Sequence, residues 1–235
     1  MEFLYSDEEK YLKNRFFDFF NMNIDKDKYT SIGICGGRSI CTFLSVFLEQ
    51  NFSFKRSHFF LVDERCVPLN NENSNYNLLN KIFFSKMVDK NLISISKFHA
   101  FVYNEIDETT AIHDYNIEFN SRFNIFDFIL VSVGEDGHIA SLFPSRKLLF
   151  SDLEGYQYEY NSPKFPSKRI SLTPKSLFNA KAIVLLFMGV DKKRALENFL
   201  GFNSSVNECP ARLLKEHPNL LVLTNIKRDE SYAGS

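Results

Sequence analysis

Residues 126–144, FDFILVSVGEDGHIASLFP, constrain this chain more than any other stretch. The apolar part has the length and residue types of a buried strand. It stops at Gly134, and Asp136, Gly137 and His138 follow at once. The same pattern recurs along the chain. Residues 29–35 form a short apolar run ending in Gly36-Gly37, and residues 57–62 form another ending in Asp63-Glu64-Arg65. Residues 182–188 lead into Gly189-Val190-Asp191-Lys192. Helical spacing fills the intervals. Ser6-Asp7-Glu8-Glu9 reads as a capping box before Tyr11, Leu12, Arg15, Phe16, Phe19 and Phe20. Ile40, Phe43, Leu44, Phe47 and Leu48 mark a second helix. Tyr76, Leu79, Ile82 and Phe83 mark one side of a third over 74–87, and further helices are expected over 107–119 and 191–200. Short strands are also expected at 169–173 and 220–224.

Strands alternating with helices predict an α/β fold, with a mainly parallel sheet covered by helices on both faces. Residues 151–168, polar and Tyr-rich with Pro163 and Pro166, predict a small loop or hairpin insertion. No repeat, linker or composition shift divides the chain, so 1–235 reads as a single domain. The 235 residues suffice for a good core. A formal net charge of −1 offers no general attraction for nucleic acid, so affinity for an anion must come from local clusters. Cys35, Cys41, Cys66 and Cys209 form no C-x-x-C pair. No secretory leader and no run of about eighteen apolar residues is read. A reduced, cytoplasmic, soluble protein is expected, as a monomer or weak homo-oligomer without nucleic-acid or membrane partners.

In an open α/β sheet, ligands bind at the carboxyl ends of the strands, where these polar motifs fall. His138, with Asp136 two residues before it, is a candidate general base, although a βα turn with a hydrogen-bonded histidine has the same pattern. Gly36-Gly37-Arg38-Ser39 between strand and helix suits an anion, and alone suits an ordinary capped turn equally well. It is neither a Walker loop nor G-x-G-x-x-G. Asp63-Glu64-Arg65 as a lone tripeptide is more often a solvated turn, but its place at a strand end favours a site. Lys192 falls in the first turn of a helix, where the dipole does not favour a cation. A bound anion explains it better, though solvated lysines are commoner. His58, His99, His113 and His217 are read as structural. No H-x-x-x-H pair or Cys/His cluster suggests a metal, and no G-x-S-x-G elbow suggests a serine nucleophile.

Taken in order, GGRS at 36–39, LVDERCVP at 61–68, SNYNLL at 74–79, GEDGHIASLFP at 134–144, RISLT at 169–173 and G-x-x-K at 189–192 resemble the 6-phosphogluconolactonase branch of the family that includes glucosamine-6-phosphate deaminase. The resemblance implies a Rossmann-like fold without a nucleotide, hydrolysis of 6-phospho-D-glucono-1,5-lactone, and no metal or organic cofactor. By motif, it implies His138 as base and Asp136 as its carboxylate. It implies Arg65 and Lys192 as holders of the phosphate end, and Gly36, Gly37 and Arg38 as the loop lining that pocket. Asp63 and Arg169 match site-edge positions. The chain departs at Ser132-Val133-Gly134, where the family has G-x-G, and at Cys66, where it commonly has Trp. The deaminase relatives resemble D-E-Y and GHIAFNEP. Here Arg65 replaces the Tyr, and 141–145 contain no Glu. A non-catalytic sugar-phosphate sensor is a further alternative, but it has no need of Asp136 and His138.

Overall fold

The computed structural model describes residues 1–227. In chain order the elements are β1 (Glu2–Tyr5), α1 (Glu9–Asn23), β2 (Thr30–Ile34), α2 (Arg38–Glu49), β3 (Ser57–Leu61), β4 (Asp63–Arg65), α3 (Asn75–Leu79), α4 (Ser85–Asp89), β5 (Phe98–His99), α5 (Glu108–Asn120), β6 (Phe128–Ser132), β7 (Tyr156–Glu159), β8 (Arg169–Leu172), α6 (Pro174–Phe178), β9 (Ile183–Phe187), α7 (Lys193–Leu200) and β10 (Leu220–Thr224). Seven strands form one sheet in the order β1-β10-β9-β6-β2-β3-β5, and every pair is parallel. This is the expected α/β fold. Among the described residues, no helix is long and apolar enough to cross a membrane.

Strand β3 shows why both faces need helices. Its side chains alternate. Phe59 meets Phe83 and Phe84 of the segment between α3 and α4, whereas Phe60 meets Tyr115 and Phe119 of α5. On the Phe59 side, α1 buries Leu12, Phe16 and Phe20 at four-residue spacing. Phe20 packs edge-on against Phe47 of α2 and Phe128 of β6, with centroids 4.7 and 4.9 Å apart. Edge-to-face rings gain from opposed quadrupoles as well as from burial. This cluster absorbs many of the 26 phenylalanines.

Three local expectations are corrected. Ser6 does not cap α1. Its Oγ accepts from Glu8 N at 3.0 Å, but Ser6 lies two residues ahead of the cap position Glu8, and the helix starts at Glu9. The helix expected over 74–87 contains a π turn at Asn80–Phe84. The wider turn rotates the remainder of the helix, so Phe83, Phe84 and Met87 enter the core while Ile82 stays 37% exposed. The third concerns residues 63–65, read as a polar segment after a strand but forming one themselves, and the strand expected at 169–173. Neither joins the parallel sheet. Both lie in a small antiparallel sheet, β4-β8-β7, whose β7 comes from the Tyr-rich insertion. Strands β1, β4, β5 and β7 are short and lack a clear apolar run, so spacing alone did not mark them as strands.

Phe20 is 1% exposed and touches α2, β6 and the loop before β3. Phe20→Ala is therefore expected to cost about 3–5 kcal/mol, read as a lower midpoint in urea unfolding followed by circular dichroism.

Candidate active site

The chain reverses its direction of travel across the sheet between β2 and β6. From β2 it moves outward through β3 to β5, then returns to β6 and continues through β9 to β10. The carboxyl ends of β9, β6, β2 and β3 are therefore neighbours, and a crevice opens where the order reverses. The four polar motifs stand on these ends.

The loop after β6 is tightly closed. Gly134 N donates to His138 O at 2.8 Å, and Gly137 N donates to Gly134 O at 3.0 Å. Ala211 N ties the loop from behind through Gly137 O at 2.9 Å. The imidazole of His138 folds back over Gly134. A Cβ there would sit 2.0 Å from both Cε1 and Nδ1, so only glycine admits the ring. His138 Nδ1 bonds Asp136 Oδ1. A carboxylate only accepts, so Nδ1 carries a proton, and in the neutral ring the lone pair is on Nε2. The ring of Phe143 lies 4.5 Å from the imidazole, centroid to centroid. For Asp136, burial alone would raise the carboxyl. The hydrogen bond and charge of His138, the charge of Lys164 and the His138 N–H outweigh it and bring the carboxyl down to about 2.

Two cations stand just past the strands on either side of β6. Arg38 opens α2 directly after Gly37, whose φ of 117° suits glycine. Gly36 is equally constrained, because a Cβ there would lie 1.9 Å from Asn75 Oδ1. Lys192 ends a 3-10 turn after β9, and its Nζ pairs with Asp191 Oδ2 at 2.7 Å. The Asp191 carboxyl is lowered first by that bond and also by the charge of Arg38. Of the two cations, Lys192 is the one paired with this carboxylate. Lys192 precedes α7 in a 3-10 turn instead of lying in its first turn, as the sequence suggested.

The loop after β3 supplies the frame. Glu64 is buried and accepts hydrogen bonds from the backbone N–H groups of Arg65, Asn75 and Tyr76, each at 2.7 Å, and from Ser74 Oγ at 3.0 Å. Burial pushes its carboxyl up, and those bonds oppose the rise. Arg65 donates from Nη1 to Asn73 O at 2.6 Å, while its buried Nε has no partner among the described residues. Asp63 is 4% exposed and accepts from Ser141 Oγ at 2.8 Å. Arg169 is 3% exposed, and its guanidinium donates to the carbonyls of Pro166, Lys164 and Phe165. Asp63 Oδ2 and the Nε and Nη2 of Arg169 are thus committed to protein partners. Sequence reasoning gave no role to Ser141, Phe143 or Lys164, and it left Asn75 as a weak helix-start signal. Ser141 and Phe143 lie within the ASLFP motif. Lys164 carried no signal at all. Among the described residues, no group of three or more His, Cys, Asp or Glu could hold a metal ion.

A family model described as Glucosamine-6-phosphate isomerases/6-phosphogluconolactonase matches residues 8–222. The chain belongs to this family. It is 92% identical, over all of both chains, to a 6-phosphogluconolactonase of Borreliella burgdorferi. Among solved structures, it resembles a 6-phosphogluconolactonase of Thermotoga maritima at TM-score 0.77 and 23% identity, covering 94% of this chain and 97% of that one. It resembles a monomeric glucosamine-6-phosphate deaminase at the same TM-score and 21% identity, covering 95% and 97%. The fold is thus common to both activities in the family, and only side chains separate them.

Gly134→Ala is expected to push the imidazole off Asp136 while the sheet stays folded. NMR of the imidazole nitrogens should then lose the hydrogen-bonded Nδ1–H. Asp136 makes a second prediction. Its carboxyl falls from 3.8 in the open chain to about 2 in the fold. A depressed carboxyl adds stability that is complete above the open-chain value and disappears as pH falls through the folded one. Urea unfolding of Asp136→Asn should therefore lose less stability than the parent protein between pH 4 and pH 2.

Proposed function

We propose that this protein hydrolyses 6-phospho-D-glucono-1,5-lactone to 6-phospho-D-gluconate in the oxidative pentose phosphate pathway, with His138 as the base. The observation that carries the reading is the orientation of His138, with Nδ1 on Asp136 and Nε2 open beside the crevice. Nε2 takes a proton from water, and the water oxygen bonds to the lactone carbonyl carbon. Asp136 holds the tautomer and stabilises the imidazolium that forms. The ring C–O bond then breaks, and the imidazolium returns its proton to the departing oxygen. Arg38 and Lys192 hold the phosphate, which places the carbonyl near His138 and makes the attack effectively unimolecular. Arg65 joins them as a third cation for the phosphate end. Asp63 and Arg169 act by holding the loops and need not touch substrate.

Deamination of glucosamine 6-phosphate is disfavoured by composition at one place. It needs an additional carboxylate just after the histidine, and residues 141–145, Ser-Leu-Phe-Pro-Ser, supply none. We read the molecule as one domain over 1–235, a monomer or weak homo-oligomer of the cytoplasm with a small-molecule substrate.

Freshly prepared lactone in a coupled assay, corrected for spontaneous opening, tests the reading. His138→Ala should lower kcat by about 10²–10⁴-fold. Lys192→Ala should act mainly on KM. Ammonia release from glucosamine 6-phosphate by the parent protein would overturn the assignment.

A further inference from the structure

One cation near the His138–Asp136 pair takes no part in the phosphate grip or in the proton transfer. Lys164 lies in the loop joining β7 to β8. Its Nζ pairs with Glu135 Oε1 at 3.1 Å, one residue before Asp136. Lys164 sits on a fixed turn. Its N–H donates to Ser162 Oγ at 3.1 Å, Ser162 Oγ donates back to Lys164 O at 3.0 Å, and Arg169 Nη2 donates to the same carbonyl at 3.1 Å. Ser162 N closes the loop onto Ser167 O at 2.9 Å. Arg169 also stands 5.4 Å from the centroid of Phe143, the ring that packs against His138. One buried guanidinium therefore supports both the turn that carries Lys164 and the ring that packs on the base.

The chemistry gives such a cation a purpose. The lactone carbonyl is neutral when the substrate binds. As the water oxygen bonds to carbon, the carbonyl π pair moves onto oxygen. After the ring C–O bond breaks, the new acid releases a proton to solvent and becomes a carboxylate. A cation at this end gains little from the neutral substrate and much from the oxyanion and the carboxylate, which is the condition for raising kcat. Glu135 occupies Lys164 at rest, with 35% of the Lys164 side chain and 61% of the Glu135 side chain exposed. A pair this open to solvent is weak and exchanges easily.

We propose that Lys164 stabilises the oxyanion at the lactone carbonyl, leaving Glu135 for it and then holding the product carboxylate. The proposal rests on the lactone-hydrolase reading with His138 as base. Arg38 and Lys192 serve the phosphate end, so Lys164 answers for the opposite end of the same substrate.

The test compares the parent protein with Lys164→Met and Lys164→Arg. Lys164→Met should lower kcat on the order of 10–100-fold, less than the 10²–10³-fold for an enclosed oxyanion donor, because this side chain is partly solvated. KM for the lactone should stay within about 2-fold if the cation acts mainly after binding. Inhibition by 6-phosphogluconate, which carries the carboxylate, should weaken about 10-fold, while inhibition by inorganic phosphate stays unchanged. Lys164→Arg should recover part of kcat. The thermal midpoint should not move, which separates this role from support of the fold. A kcat for Lys164→Met within about 2-fold of the parent would overturn the proposal, as would equal weakening of both inhibitors. If the parent protein itself opens no lactone, the functional reading falls as well. If the parent is active and Lys164→Met is equally active, only the role of Lys164 falls.

Discussion

A buried carboxylate must find donors or lose its charge, and at Asp63 that requirement ties the active-site loops together. Its Oδ2 accepts from Ser141 Oγ, which belongs to the segment after β6. Its backbone carbonyl accepts from Asn75 Nδ2 at 2.9 Å, at the start of α3. Asn75 in turn presses its amide against Gly36, in the loop after β2. One acidic residue thus links the ends of β3, β6 and, through Asn75, β2. Glu64 strengthens the same corner by accepting the first N–H groups of α3, where a helix favours a negative charge. The crevice owes its shape to these bonds as much as to the sheet below it.

Within that frame the charges are graded along the substrate. Two cations follow β2 and β9, and Asp191, which pairs with Lys192, also feels the charge of Arg38. His138, the proposed base, lies in the loop after the strand between them. Its orientation comes from three contacts acting together: the Asp136 bond, the bare backbone at Gly134 and the Phe143 ring. A histidine with one nitrogen committed and the other open has a defined proton inventory, as general base chemistry requires. The likeness to a deaminase structure makes the same point from the other side. The scaffold is shared, and the chemistry depends on which side chains the loop after the histidine supplies.

Much of this was legible in the sequence. The long apolar runs at β2, β3, β6, β9 and β10 reported themselves, because a strand buried on both faces has few polar positions. His138, Asp136, Arg38 and Lys192 stood out because they follow those runs directly. The short strands did not. Asp63–Arg65 looks like a charged turn, and it becomes a strand only because β8 lies beside it in antiparallel register. The π turn at Asn80–Phe84 was hidden for a similar reason, since a helical stripe read at normal pitch places Ile82 inside. Arg169 was read as a site-edge position. Its attachment to the 164–166 carbonyls depends on how a proline-containing loop folds over it.

By itself, then, the sequence determined the α/β class, the parallel sheet and the acid–histidine pair, because each is written in local residue order and hydrophobic period. Only the tertiary structure decided which loops meet. Asp63 and Ser141 are 78 residues apart in the chain and 2.8 Å apart in the fold. Lys164 and Glu135 are 29 residues apart and form an ion pair. Contacts of that kind arise from strand order and loop closure, and no periodicity in the chain encodes them.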